Sequence, residues 1–207
     1  MNLVGLPIPY TQADWDSWFP IHSKAVDEAI EEWKAMDNER NRDAQQQGWK
    51  NSKWMSKGIP FPVIREVGEK TGAETFLGEI SIRRAGFIMI FGRDEKQKMR
   101  YANDALEAGD PNIEWGIGFY LSPPCHGRGI MPAVLECVLE KVCVPYMNIH
   151  RLTRSYLDHN WGSRRVFEKC GFTFDCAVPG SVEMDEGKTR VKGKRVGIER
   201  MKWNGRK

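Results

Sequence analysis

Apolar and polar residues recur along this chain with two different periods, and the switches between them mark out the elements. Ala25, Ala29, Ile30 and Trp33 follow near-helical spacing, with Asp27, Glu28, Glu31 and Glu32 on the opposite side, which predicts an amphipathic helix. A second, polar helix is predicted over about 38–57, with Gly48 as its weak point and Trp49 and Trp54 as anchors. The runs 61–67 and 75–83, joined by Glu69-Lys70-Thr71-Gly72, read as a β-hairpin. Residues 84–110 interrupt the rhythm with an apolar run over 87–91 and a polar stretch over 93–110 that has room for a short helix. Residues 113–121 then read as a strand rich in aromatics and glycine, ended by Pro123-Pro124.

From 129 to 144 the period is helical again. Val134, Val138 and Val142 with Leu135, Leu139 and Cys143 make one face, and Glu136, Glu140 and Lys141 face water. Pro132 falls in the first turn, where proline is tolerated, and Pro145 is expected to stop the helix. A strand over 151–157, a helix over 161–170 and a strand opening at 171–174 follow. Strand, helix, strand, helix, strand predicts parallel pairing around crossovers, while the first half supplies a hairpin. The expected class is therefore α/β, more narrowly α+β, with one mixed sheet in a single domain over 1–207. Its parts are a helical one (1–58) and a motif-bearing one (113–203).

Composition adds exclusions. With 41% hydrophobic and 29% charged residues, the chain is too apolar for disorder. No stretch approaches the roughly 18 apolar residues of a membrane helix, and no secretory signal is visible. Five cysteines (125, 137, 143, 170 and 176) without a CxxC pair argue against a disulfide framework and a structural zinc site. A cytoplasmic protein without metal or membrane partner is expected. Charge is uneven: nine basic residues from Gly187 onward face only Glu199, a local +8 that leaves residues 1–186 at −5 within the net +3. Such a segment can contact nucleic acid or the ribosome. Yet Val196, Ile198 and Arg200 alternate with Gly197, Glu199 and Met201, which suits a strand better than a free arm.

Two segments carry candidate chemistry. In Tyr120-Leu121-Ser122-Pro123-Pro124-Cys125-His126-Gly127-Arg128-Gly129-Ile130-Met131 a strand enters a two-glycine turn and leaves as a helix. Unpaired N–H groups at such a start, beside the positive end of the helix dipole, suit a phosphate that glycines allow to approach. A tight turn alone would also explain it, and neither a P-loop nor a dinucleotide fingerprint is present. The second segment, Asn160-Trp161-Gly162-Ser163-Arg164-Arg165-Val166-Phe167-Glu168-Lys169-Cys170-Gly171-Phe172, opens on a plausible N-cap and ends on a C-terminal glycine.

In this order and spacing the two segments resemble the GNAT superfamily of acyl-CoA-dependent N-acyltransferases. His126 stands at the first position of that family's phosphate loop, Gly129 at its glycine and Met131 at its last position. Asn160, Ser163, Glu168, Lys169, Gly171 and Phe172 match its later motif. The strand ending Gly118-Phe119-Tyr120-Leu121 and the closing strand look most like the ribosomal-protein N-terminal acetyltransferase subgroup. The resemblance implies a bulged strand before the phosphate loop and helices on both faces of the sheet. It also implies a V-shaped splay between 113–121 and 151–157, with acetyl-CoA in the gap. Phe119 and Leu121 would pair with pantetheine through their backbone, Gly127, Arg128, Gly129, Ile130 and Met131 would hold pyrophosphate, and Asn160 would bond the pantetheine arm. His126, in place of the usual Gln or Arg, is expected to make cofactor binding weaker and more pH-sensitive.

An attacking amine must first lose a proton, and its pKa is about 8 for an α-amine and about 10.4 for lysine. Glu114 is the only carboxylate on the strand that carries the family's base, two residues before the subgroup's usual Glu position, which is Gly116 here. Phe167 occupies the place of the family's acidic Tyr beside the cofactor and has no proton to give, so the subgroup's Ser, here Ser163, is the expected donor to the departing thiolate. Cys125 and Cys170 have no base paired with them in sequence, so direct transfer rather than an acyl-cysteine is expected. The reading is an N-acetyltransferase acting on a protein N-terminus or small-molecule amine, as monomer or homodimer. A catalytically weak acyl-CoA-binding protein and an RNA- or ribosome-associated module using 187–207 are the alternatives. The 84–110 segment either walls the amine site or forms a plain extension.

Overall fold

The computed structural model describes residues 12–44, 54–183 and 193–205. Six strands form one mixed sheet: β1 (Val63–Val67), β2 (Glu74–Arg84), β3 (Glu114–Leu121), β4 (Arg151–Leu157), β5 (Thr173–Glu183) and β6 (Arg195–Trp203), in the order β1-β2-β3-β4-β6-β5. The helices among the described residues are α1 (Gln12–Ala44), α2 (Arg93–Asp104), α3 (Ile130–Val138), α4 (Val144–Met147) and α5 (Trp161–Lys169). The hairpin forms as its turn residues predict, with the Gly68 N–H donating to the Ala73 carbonyl at 2.9 Å. No helix among the described residues is long and apolar enough to cross a membrane.

The N-terminal part departs from the pattern. Residues 38–44 continue α1 instead of opening a second helix, and 54–57 are irregular; the stretch 45–53, with Trp49, lies outside the described residues. Tertiary capture overrides the local propensity here. The Glu32 carboxylate on α1 accepts from the Ser56 N–H at 2.9 Å and the Lys57 N–H at 3.0 Å, and the Met55 N–H donates to the Tyr146 carbonyl. Trp33 packs on Phe61 and Tyr146, with ring centroids 5.2 and 4.6 Å away.

Pro145 does not stop its helix. The chain widens into a π-turn over Leu139–Cys143, in which the Val144 N–H reaches back to the Leu139 carbonyl, and α4 continues through the proline. Widening moves aside the carbonyl that the proline ring would otherwise strike. The helix ends at Asn148, in the left-handed region at φ 49°.

Among the described residues, parallel pairing is realised between β3 and β4 only. β5 does not pair with β4, because β6 lies between them, antiparallel to both. The described part of the basic segment thus contains a strand, Arg195–Trp203, with buried residues on both faces. Met201 and Trp203 join the main core with Trp115, Leu135 and Leu152, while Val196 and Ile198 are buried at positions of the opposite parity. Two of its cations are engaged with one acid: Arg200 donates to Asp175 at 2.6 Å and Lys202 lies 2.9 Å from it.

Burial pushes the Asp175 carboxyl up, but the hydrogen bonds from Lys202 and Arg200 outweigh it and hold its pKa below the ordinary value. A depressed folded pKa adds stability that is complete above the unfolded carboxylate range, about pH 4, and is lost as pH falls through the folded value. Asp175→Asn is therefore expected to cost about 1–2 kcal/mol at pH 7, roughly 3–6 °C in Tm. The gap from wild type should close in melts run below about pH 4.

Candidate active site

The centre of the sheet opens where β3 and β4 part. They pair over three positions only, Glu114–Arg151, Trp115–Leu152 and Gly116–Thr153. On its other side β3 follows β2 without a register break from Arg84–Trp115 to Gly78–Leu121, so the splay arises here without the bulge that the resemblance implied. The Ala85 N–H donates to the Glu114 carbonyl and the Ser122 N–H to the Leu77 carbonyl. Antiparallel alternation then turns the backbone of Ile117, Phe119 and Leu121 away from β2 and into the gap. Phe119 and Leu121 thus offer a strand edge, although the Leu121 carbonyl already meets the His126 Nε2 at 3.0 Å.

At the mouth of the gap the chain makes a short 3₁₀ turn over Pro123–Cys125 and enters α3. Gly127 and Gly129 both have φ of 76°, which L-residues rarely adopt, and a Cβ on either would meet nothing within 4 Å. Five successive N–H groups, from Gly127 to Met131, have no acceptor among the described residues, and the helix ladder begins at Ala133 to Gly129. This is an anion cradle of the kind described for helix starts. Arg128 beside it is held at 2.8 Å by Glu66 of β1. The His126 ring is turned back onto β3 rather than toward the cradle.

α5 presents the second motif. Asn160 caps it, its Oδ1 accepting from the Ser163 N–H at 3.1 Å, which leaves the Asn160 amide NH₂ to donate elsewhere. The Ser163 hydroxyl makes no hydrogen bond among the described residues. Phe167 is fully enclosed, with Phe119, Tyr156 and Phe172 at centroid distances of 5.1, 6.1 and 4.9 Å. It supports Phe119 from below and exposes no surface of its own.

Glu114 stands at the closed end of the gap. Asn103, buried at the end of α2, clamps its backbone, with Nδ2 donating to the Glu114 carbonyl at 2.9 Å and Oδ1 accepting from the Glu114 N–H at 2.8 Å. Arg84 fastens the same corner by donating to the Asn103 and Leu106 carbonyls. The Thr153 hydroxyl lies 3.3 Å from Glu114 Oε1. Thr153 is level with Gly116 across the ladder, so the carboxylate leans forward toward the position from which sequence found it displaced. The 84–110 segment is accordingly a brace for the start of β3.

Asn103, Thr153 and Arg154 escaped the sequence reading. Arg154 breaks the apolar alternation of β4, and that irregularity was the available signal. Burial pushes the Cys170 thiol up to about 11 and the Cys143 thiol up as well, which disfavours the thiolate at both. No group of His, Cys, Asp or Glu among the described residues could hold a metal ion.

Comparison with known proteins gives the same reading as the geometry. The family described as acetyltransferase (GNAT) domain matches residues 8–173. No curated protein matches the chain. Similar solved structures include a spermidine N-acetyltransferase mutant from Vibrio cholerae, at 12% identity over 68% of this chain and 62% of that one, TM-score 0.45. A ribosomal-protein-S5-alanine acetyltransferase from Vibrio fischeri is 15% identical over 63% of this chain and 55% of that one, TM-score 0.41. A microcin C7 self-immunity acetyltransferase, solved with acetyl-CoA and AMP, is 15% identical over 63% and 56%, TM-score 0.39. The chain thus spans 55–62% of the length of these structures.

Proposed function

The chain belongs to the GNAT acetyltransferase family, and from that membership we propose that it transfers an acetyl group from acetyl-CoA to a primary amine. The observation that carries this reading is the run of five N–H groups without an acceptor among the described residues at the start of α3, next to an unpaired edge of β3. Coenzyme A brings a pyrophosphate for the first and an amide chain for the second. Gly127, Arg128, Gly129, Ile130 and Met131 hold the pyrophosphate. The backbone of Phe119 and the Leu121 N–H bind pantetheine, and the Asn160 amide bonds its arm. His126 contributes by turning from the Leu121 carbonyl to a phosphate oxygen, and Phe167 by keeping Phe119 in place.

Glu114, directly or through water, takes a proton from the ammonium. The free amine attacks the thioester carbonyl, the C–N bond forms as the C–S bond breaks, and the proton shed by the nitrogen passes to the departing thiolate, to which Ser163 donates a hydrogen bond. The product is the acetylated amine and the free thiol of coenzyme A. Protein N-termini, as in the ribosomal-protein subgroup, and small amines both fit this chemistry. A basic anion-binding face is less favoured, because Arg195, Arg200 and Lys202 each face an acid.

A thermal melt tests the reading. Acetyl-CoA at 100 times its dissociation constant stabilises by about 2.7 kcal/mol. At this chain length that raises Tm by roughly 5–10 °C, and adenosine alone should not reproduce it. Gly129→Val strains the left-handed turn and fills the cradle, so it should lower the Tm of the free protein by a few degrees and remove the acetyl-CoA shift. A wild-type melt unmoved by millimolar acetyl-CoA would sink the proposal.

A further inference from the structure

One charged group of the site is left without a role by this mechanism. Arg154 lies on β4, one residue beyond the last ladder pair with β3. Its position has the parity of Leu152 and Tyr156, yet its Nη1 comes within 3.5 Å of where a Cβ on Gly118 would sit. The side chain therefore lies across the opening between the two strands. No carboxylate, carbonyl or hydroxyl among the described residues accepts a hydrogen bond from it. Burial pushes its pKa down, but a guanidinium does not give up its proton in a protein. A largely buried, unpaired cation is costly to the fold, and groups of this kind are as a rule paired.

The surroundings say what an anion would find there. Gly116 and Gly118 give β3 a floor of bare backbone between Glu114 and Tyr120 on one parity. The Ser81 hydroxyl lies 3.1 Å from the Cβ position of Gly118. At the closed end of the floor stands the Glu114 carboxylate, and across it Arg154. One group favours an ammonium and the other a carboxylate, with no side chain rising from the floor between them.

We propose that Arg154 is the specificity-determining residue for the acceptor and binds a carboxylate carried close to the reacting amine. The inference rests on the acetyltransferase reading and narrows its substrate class to zwitterionic acceptors. A polyamine, with a second cation where Arg154 stands, is rejected by like charge. A free amino acid and a peptide with an acidic second residue offer the same chemistry.

The experiment compares kcat/KM for matched acceptors with acetyl-CoA in the wild type, Arg154→Gln and Arg154→Lys. The pairs are L-alanine with L-alaninamide, L-phenylalanine with L-phenylalaninamide, and Gly-Asp-amide with Gly-Asn-amide. Intrinsic differences in amine reactivity cancel when the ratio within a pair is compared between proteins. The acid-to-amide ratio is expected to fall at least tenfold in Arg154→Gln, with partial recovery in Arg154→Lys, which keeps the charge but loses the planar fork. The pair that shows the effect identifies the source of the carboxylate. Because the wild-type cation has no partner, Arg154→Gln should melt no lower than wild type.

An unchanged ratio in all three pairs overturns the inference, and so does an equal fall in kcat for acid and amide alike, which would assign the guanidinium to the thioester. Either result leaves the acetyltransferase reading intact so long as acetyl-CoA raises the melting temperature. Loss of that shift in wild type fails the reading itself and takes this inference with it.

Discussion

Glu114→Gln should lower kcat/KM for amine acetylation by about 10²–10⁴-fold, the usual worth of a positioned general base, while the acetyl-CoA-dependent rise in Tm remains. The amide keeps the shape of the side chain and can still meet the Thr153 hydroxyl, but it takes no proton from an ammonium. The deficit should depend on pH. Below the acceptor's pKa the amine is protonated and needs a base, whereas above it the free amine is already present. For an α-amine, with pKa near 8, the variant should recover part of its loss between about pH 8 and 9.5; a lysine side chain, near 10.4, should show little recovery there. A pH–rate profile checks this. Equal activity of variant and wild type at pH 7 would move the base elsewhere. The half-buried Glu79 of β2, whose carboxyl burial pushes above its ordinary range, would be the next residue to replace.

Phe167→Ala carries the largest expected loss of stability, about 3–5 kcal/mol, or roughly 10 °C or more in Tm at this chain length. The ring is completely enclosed, and it touches Phe119 on β3, Tyr156 on β4 and Phe172 beyond α5. Removing it takes away a ring that contacts both walls of the splay, so affinity for acetyl-CoA should fall with stability. Phe167→Leu, which fills most of the volume, should restore most of the melting temperature. Thermal melts with and without acetyl-CoA separate the two effects. The same enclosure explains why a tyrosine hydroxyl is missing there. A phenol would have to find a partner among aromatic carbons, and an unsatisfied buried hydroxyl costs about 1–3 kcal/mol.

Local signals carried the hairpin, the strands 113–121 and 151–157 and the helix from Trp161, because period, glycine and N-cap residues act within a few positions of themselves. The cradle was legible for the same reason: Gly127 and Gly129 stand in the turn they shape. What escaped depends on partners far apart in sequence. Glu32 captures the N–H groups of Ser56 and Lys57 across more than twenty residues and undoes a helix that composition favoured. Asn103 reaches Glu114 from the end of α2, and Thr153 reaches it from β4. No spacing rule links those residues. Pro145 misled because a proline usually ends a helix, whereas the π-turn before it relieves the clash. β6 is the last strand in sequence yet lies inside the sheet, since a strand apolar on both parities is stable only between neighbours.

The place of β6 has a consequence for how the protein is made. β4, which forms one wall of the active-site opening, is synthesised well before the strand that pairs along its other side, since β4 begins at Arg151 and β6 at Arg195. At about 5–20 residues per second that interval lasts roughly 2–9 s, in which β4 presents a bare edge and apolar side chains to the translating ribosome's surroundings. β4 is thus open to mispairing during that interval. The β4 side of the opening gains its outer neighbour only after residues near Trp203 have left the ribosome.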